Sequence, residues 1–337
     1  PTILWNAILQ STFVLVGIPG MEKLHVWLSI PFCSIQAQPF LLAGLPGMAQ
    51  FHHWVFLPFG LMYLVAVLGN GTILLVVRAH RQLHQPMYYF LLMLATTDLG
   101  LTLSTLPTVL RVFWLGAMEI SFPACLIQMF CIHVFSFMES SVLLAMAFDR
   151  YVAICCPLRY SSILTGARVA QIGLGIICRC TLSLLPLICL LTWLPFCRSH
   201  VLSHPYCLHQ DIIRLACTDA TLNSLYGLTL VLVAVLDFVL IALSYIVIFR
   251  TVLGITSREE QAKALNTCVS HFCAVLIFYI PLAGLSIIHR YGRNAPPISH
   301  AVMANVYLFV PPILNPILYS MKSKSTLQRV LRKLNAL

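Results

Sequence analysis

A chain of 337 residues in which 60% are hydrophobic and 9% charged, with a mean hydropathy of +0.91, falls outside the water-soluble domains, where roughly a quarter of residues carry charge. The composition is that of a polytopic membrane protein. The net charge of +10 does not point to a nucleic-acid partner, because the Lys and Arg residues are not gathered on one polar element and their placement follows membrane topology instead.

Residues 13–32, FVLVGIPGMEKLHVWLSIPF, recur as residues 40–59, FLLAGLPGMAQFHHWVFLPF, with ten of the twenty aligned positions identical. The second copy continues into Gly60-Leu61-Met62 and a long apolar run, whereas the first stops at Phe32 and meets Cys33-Ser34-Ile35-Gln36. Only the second is in register to span. Residues 1–53 therefore form an extracellular N-terminus whose first copy is an appendage without a function of its own. No charged n-region with a cleavage site opens the chain, so no removed signal peptide is expected and the first helix is expected to direct insertion.

Apolar runs long enough for the roughly 20 residues a bilayer requires place helices near 54–79, 86–111, 121–155, 168–194, 222–250, 262–290 and 298–320. The fold class is an all-α membrane protein, a seven-helix bundle over 54–320. Thirteen of the twenty basic residues, Arg150 and Lys322 among them, fall on one side of this arrangement. That side is cytoplasmic and the N-terminus lies outside. Residues 321–337 place Leu327, Val330, Leu331 and Leu334 on one helical face, ringed by Arg329, Arg332 and Lys333. They read as an amphipathic eighth helix on the lipid of the inner leaflet.

Asp149-Arg150-Tyr151 ends the third run. An Arg one turn inside a membrane helix is tolerated only with a partner or access to water. Asp149 can hold the guanidinium in one state and a partner protein can take it in another, which makes Arg150 a switch. The plainer reading, an interfacial boundary marker, weighs less with Asp149 and Tyr151 beside it. Four further charges lie within apolar runs: Asp98, Glu139, Arg179 and Asp237. Intramembrane acids are functional candidates by default, whereas Arg179 and Asp237 receive no role from the sequence. Asn70-Gly71-Thr72 matches a glycosylation sequon but lies inside the first helix, where it cannot be used.

Met146 to Tyr160, MAFDRYVAICCPLRY, does not stand alone. Gly69-Asn70 sits in the first helix and Leu83-His84-Gln85-Pro86-Met87-Tyr88-Tyr89-Phe90-Leu91 opens the second. Lys263-Ala264, Thr267-Cys268, Ser270-His271 and Phe278-Tyr279-Ile280-Pro281 mark the sixth, and Pro311 to Tyr319, PPILNPILY, the seventh. Over about residues 40–337 the chain resembles a vertebrate odorant receptor of the rhodopsin-like G-protein-coupled superfamily. Its long second extracellular loop, from Ser203-His204 to Gln210-Asp211, resembles the fish-like class I.

The resemblance implies a multi-pass plasma-membrane receptor that binds a small odorant and activates a stimulatory, olfactory-type heterotrimeric G protein to raise cyclic AMP. Asp149, Arg150 and Tyr151 would form the G-protein switch, and Asn315, Pro316 and Tyr319 the helix-seven switch. Cys125, Cys197, Cys207 and Cys217 allow three pairings; the resemblance selects Cys125 with Cys207 and Cys197 with Cys217, leaving Cys33 over. No cofactor is implied except a possible sodium ion shared by Asp98 and Glu139, as in the superfamily's central ion site, near Asn315. The alternative is that one of the two acids is protonated and they hydrogen-bond.

His133 lies about 12 Å of helix rise below Cys125. Ser286 and Arg290, four apart, share a face, and His209 and Gln210 follow Cys207 directly, over the mouth of the bundle. These five residues offer several donors and no acid. An Arg fork with hydroxyl and imidazole help suits a carboxylate, and the set resembles the carboxylate-binding receptors of the fish-like class. A small aliphatic carboxylic acid is therefore the expected ligand.

Alternative functions are an ion-coupled transporter or channel using the intramembrane acids, and a non-signalling receptor copy. Such transporters are usually built from repeated halves, and the repeat here is short and outside the bundle. Light sensing needs a Schiff-base Lys in the seventh run, and 298–320 contains none. No nucleophile, base and orienting group occur together, so no enzyme is expected.

Overall fold

The computed structural model describes residues 39–42, 44, 52–115, 118–196, 200–292 and 296–322. The first repeat copy, Cys33, Cys197 and the amphipathic tail beyond Lys322 lie outside the described residues. Within them seven helices are long and apolar enough to cross a membrane. They are α1 (His52–Ala79), α2 (Pro86–Leu115), α3 (Phe122–Cys155), α4 (Gly166–Thr192), α5 (Thr221–Leu253), α6 (Arg258–Tyr291) and α7 (Pro297–Lys322).

Long helices are what this sequence dictates, because in hydrocarbon each backbone N–H and C=O must be satisfied within its own segment. The same solvent explains why Trp54, Leu57, Leu61, Leu64 and Leu75 of α1 are exposed: they face lipid. Pro58, Pro107, Pro186 and Pro281 are carried inside helices, as spanning helices tolerate. The expected boundaries hold to within a turn or so. α6 starts at Arg258 and not at 262, because the Ser257 side chain caps it by accepting from Glu260 N at 3.5 Å. Glu259 and Glu260 then sit in the first turn, where the helix dipole favours acids.

The Gly69-Asn70 pair joins α1 to α7. A Cβ on Gly69 would meet Pro316 Cβ at 2.9 Å, so only Gly admits α7 so closely. Beside it Asn70 Nδ2 donates to Pro312 O at 2.8 Å, and Asn70 is fully buried, out of reach of any glycan.

The second repeat copy is divided in a way its pattern did not predict. Phe40–Leu42 forms strand β1. It pairs antiparallel with β2 (Met118–Ile120) and parallel with β3 (Val201–Leu202), in the order β2-β1-β3. Phe40 and Leu42 are buried against Phe122, Phe196 and Leu202, so this small sheet caps the end of the bundle at which α3 begins. The cap is fastened by the Cys125–Cys207 disulfide. Cys217 is also disulfide-bonded, and its expected partner Cys197 lies outside the described residues. Phe196 bridges Ala216 and Cys217 N donates to Pro195 O at 3.0 Å, which sets the chain flanking both positions side by side.

Candidate functional site

Below the cap lies a cavity of about 110 Å³ whose lining includes His133, His209, Gln210, Ser286 and Arg290. All five residues expected from the sequence are thus brought together. Three elements place them: α3 carries His133, α6 carries Ser286 and Arg290, and a short helix, His209–Arg214, carries His209 and Gln210 down from the loop. Its position is fixed from behind. Gln128 on α3 accepts from Cys207 N at 2.9 Å and donates to Thr108 Oγ1 at 2.7 Å and Ser104 O at 2.9 Å. Tyr206, fully buried, donates to Ala304 O of α7 at 2.7 Å. Gly227 of α5 leaves room for the imidazole, since a Cβ there would sit 3.2 Å from His209 Cε1.

The rest of the lining is largely apolar, with Leu184, Leu187, Leu230, Leu282 and Leu285, and its further polar members are Ser136, Ser140, His289 and Tyr307. Into this setting project three buried nitrogens without a hydrogen-bond partner among the described residues: His133 Nε2, His209 Nε2 and Arg290 Nη2. Burial, reinforced by the charges of His133 and Arg290, pushes the His209 imidazole down to about 3, so it is neutral at physiological pH. Asp211, an acid only two residues away, is already engaged. It is bonded to His204 Nδ1. Burial works to raise its carboxyl, but the His204 hydrogen bond and the charges of His204, His289 and Arg214 hold it below the usual range. Among the described residues no carboxylate pairs with Arg290.

At the floor of the cavity Ser136 and Ser140 of α3 turn towards the bundle centre. Ser136 accepts from Tyr307 of α7. Ser140 bonds Tyr279 of α6 at 2.8 Å and donates to Asp237 Oδ2 at 3.0 Å. Asp237 also receives Arg179 Nη2 of α4 on both oxygens, at 2.9 and 3.0 Å, and Arg179 Nη1 donates to Ser141 Oγ at 3.2 Å. The two charges left without a role by the sequence are therefore each other's partners, and they tie α3, α4, α5 and α6 in one polar layer.

Deeper still, Asn315 Nδ2 of α7 donates to both oxygens of Asp98, at 3.3 and 3.1 Å, and to Glu139 Oε1 at 3.2 Å. All three side chains are buried, and Asn315 Oδ1 has no partner among the described residues. A cluster of oxygens around two buried carboxylates suits a hard monovalent cation or a shared proton.

At the end of the bundle opposite the cap Arg150 donates through Nε to Asp149 Oδ2 at 2.9 Å, and Tyr160 donates to Asp149 Oδ1 at 2.7 Å. Asp149 is buried and Arg150 nearly so. Tyr151 packs against the main core cluster, of which Tyr319 is a buried member. Pro316 lies one turn inside Tyr319 on α7 against Gly69. Tyr160 was missed as a partner of the switch. The signal was in the sequence, nine residues past Tyr151, but only the turn formed by Pro157–Arg159 shows that it folds back.

The family model described as Olfactory receptor matches residues 59–336. The chain is 55% identical over 322 residues to Olfactory receptor 51G2 of Homo sapiens, covering 95% of this chain and 94% of that one. It is 54% identical over 330 residues to human Olfactory receptor 51I2, covering 98% and 97%, and 51% identical over 324 residues to human Olfactory receptor 51A4, covering 96% and 95%.

Proposed function

Since the chain belongs to the olfactory receptor family, and is therefore a G-protein-coupled receptor of the plasma membrane and not an enzyme, we propose that its ligand is a small aliphatic carboxylic acid and that its output is cyclic AMP through a stimulatory heterotrimeric G protein. The observation that carries the ligand class is Arg290 Nη2, buried and unpartnered among the described residues, beside a largely apolar cavity whose lining includes no acid. An uncompensated buried charge is costly, so the site calls for an anion, and a carboxylate matches the guanidinium fork. Ser286, His133 and His209 supply neutral donors around it. With His209 neutral, Arg290 is the one cation of the five, and a monoanion balances it.

The N-terminus faces outward in this reading. The cap carrying Cys125–Cys207 belongs on the oxidising side, and the basic residues gather at the opposite end. Asp149, Arg150 and Tyr151 face the G protein, with Arg150 held by Asp149 until the partner takes it. Asp98, Glu139 and Asn315 Oδ1 hold a sodium ion, whose contribution is to neutralise the paired carboxylates. A sodium titration monitored by thermal stability tests this, because a shared proton gives no sodium dependence and no loss of one in Asp98→Asn. The ligand proposal is tested by a cyclic AMP reporter in cells given matched acids, alcohols, esters and amines. Equal responses to all four classes would sink it.

A further inference from the structure

Above the odorant cavity, the extracellular loop and the outer end of α6 bring His204, Asp211 and His289 together, with one ligand-capable atom from each within 4.8 Å of the others. All three side chains are buried. Each carries an atom without a partner among the described residues: His204 Nε2, Asp211 Oδ1 and His289 Nε2. From this geometry we infer a binding site for a divalent transition-metal cation of the zinc class, made by His204, Asp211 and His289, of which His289 is shared with the wall of the odorant cavity.

The hydrogen bonds already present set the imidazoles up as ligands. His289 Nδ1 contacts Leu285 O at 3.0 Å, and a carbonyl only accepts, so Nδ1 holds the proton and Nε2 keeps its lone pair. His204 Nδ1 contacts the Asp211 carboxylate, so a cation that displaces the proton between them is held by Nδ1 and a carboxylate oxygen together. Two imidazoles and one carboxylate are a donor set that suits zinc, with the fourth position open. Three atoms within 4.8 Å of one another admit a centre no farther than about 2.8 Å from each, so a shift of under about 1 Å reaches the ~2.0–2.2 Å bonds zinc makes.

A purely structural role explains less. The His204–Asp211 pair by itself braces the loop internally, and leaves three buried polar atoms unsatisfied, each at a cost of roughly 1–3 kcal/mol. A cation between His204 Nδ1, the Asp211 carboxylate and His289 gives two of them, Asp211 Oδ1 and His289 Nε2, a partner. Arg214 argues the other way, since its positive charge is near. Its guanidinium, however, is committed to the His289 carbonyl, which Nη2 reaches at 2.9 Å, and this bond holds the metal-ligating His in place. A route in exists, because a second cavity of about 570 Å³ is lined by His289, Arg214 and His300. His289 adjoins Arg290 on α6, so the metal would pin the loop to the helix that carries the odorant anchor.

The test is titration of the purified full-length receptor with zinc alone, read by competition with a fluorescent indicator, followed by X-ray absorption on the loaded protein. One zinc per receptor is expected, with nitrogen and oxygen neighbours at ~2.0–2.2 Å. His204→Ala and His289→Ala should each weaken binding by at least the ~10- to 100-fold that loss of an outer partner costs. Failure of the wild type to bind zinc, sulfur neighbours at ~2.3 Å from one of the free cysteines, or unchanged binding in both folded variants overturns the site. If either variant does not fold, the absorption spectrum of the wild type decides alone.

Discussion

Arg290→Ala separates ligand response from stability, because the two should move in opposite directions. In the unliganded receptor Arg290 Nη2 is buried without a partner, so removing the side chain removes a cost, and the variant should melt no lower than the wild type. For an acid agonist the loss is of a charge-assisted, forked contact. Breaking a fully buried ion pair costs roughly 3–5 kcal/mol. Arg290 is only partly buried, so solvent screening brings the figure nearer the ~1.5–3 kcal/mol of a hydrogen bond to a charged group. At about 1.4 kcal/mol per decade this is a rightward shift of about ten- to a hundredfold in the dose response. Arg290→Lys keeps the charge and loses the fork, and should fall between. Along a series of straight-chain acids each added methylene is worth about 0.8 kcal/mol, near fourfold, until the cavity of about 110 Å³ is filled, after which potency should drop. The assay is a cyclic AMP reporter in cells with surface receptor measured in parallel. An acid response in Arg290→Ala within about threefold of wild type, where at least the ~1.5 kcal/mol of a charged hydrogen bond was expected, would refute the reasoning, as would amines or esters matching acids.

The remaining expectations concern the other parts of the chain. Arg150→Ala should abolish ligand-driven cyclic AMP while surface expression persists, and normal signalling by that variant would remove the switch. Peptide mapping under non-reducing conditions should find Cys125 joined to Cys207 and Cys217 joined to Cys197; a Cys125–Cys197 peptide would contradict both. His209 has a folded-state pKa pushed down to about 3 against an ordinary value of about 6.5, so between those values the unfolded chain binds a proton that the native one refuses. Stability should therefore fall as pH drops below about 6.5, and His209→Gln should flatten that slope in thermal melts; an unchanged slope would show that the imidazole is not held neutral by burial.

The seven spans were legible because lipid leaves the backbone no alternative: a long uncharged run has to be a helix, and the segments between runs have to surface. The cavity was legible for a narrower reason. Ser286 and Arg290 are one helical turn apart, and His209 and Gln210 are tied by chain continuity to a cysteine whose partner opens α3. What the sequence could not disclose were pairings set only by the rotation of one helix against another. Arg179 and Asp237 lie 58 residues apart, and nothing local marks either as the other's partner. Gln128 reads as an ordinary polar residue in an apolar helix until Cys207, Thr108 and Ser104 are found around it. Strand β1 was hidden because three residues of alternating burial inside a helix-leading repeat carry no strand signal of their own.

These long-range contacts bear on how a ligand of a few heavy atoms can matter to a helix of 34 residues. α6 is held at its outer end by Arg214 on the His289 carbonyl, at its middle by the Tyr279–Ser140 hydroxyl contact, and farther in by Tyr245 on His271 at 2.6 Å. Each neutral hydrogen bond is worth about 1 kcal/mol net, whereas a carboxylate on Arg290 brings a charge-assisted interaction roughly twice as strong per bond, plus the burial of its alkyl tail. A ligand can shift an equilibrium only by its differential affinity for the two states. The contacts restraining α6 within the bundle are individually weaker than that increment, so the energy delivered at Arg290 and Ser286 is of the right size to redistribute them. Ser140 is where this is felt first, because its one hydroxyl lines the cavity while serving both Tyr279 and the Arg179–Asp237 pair.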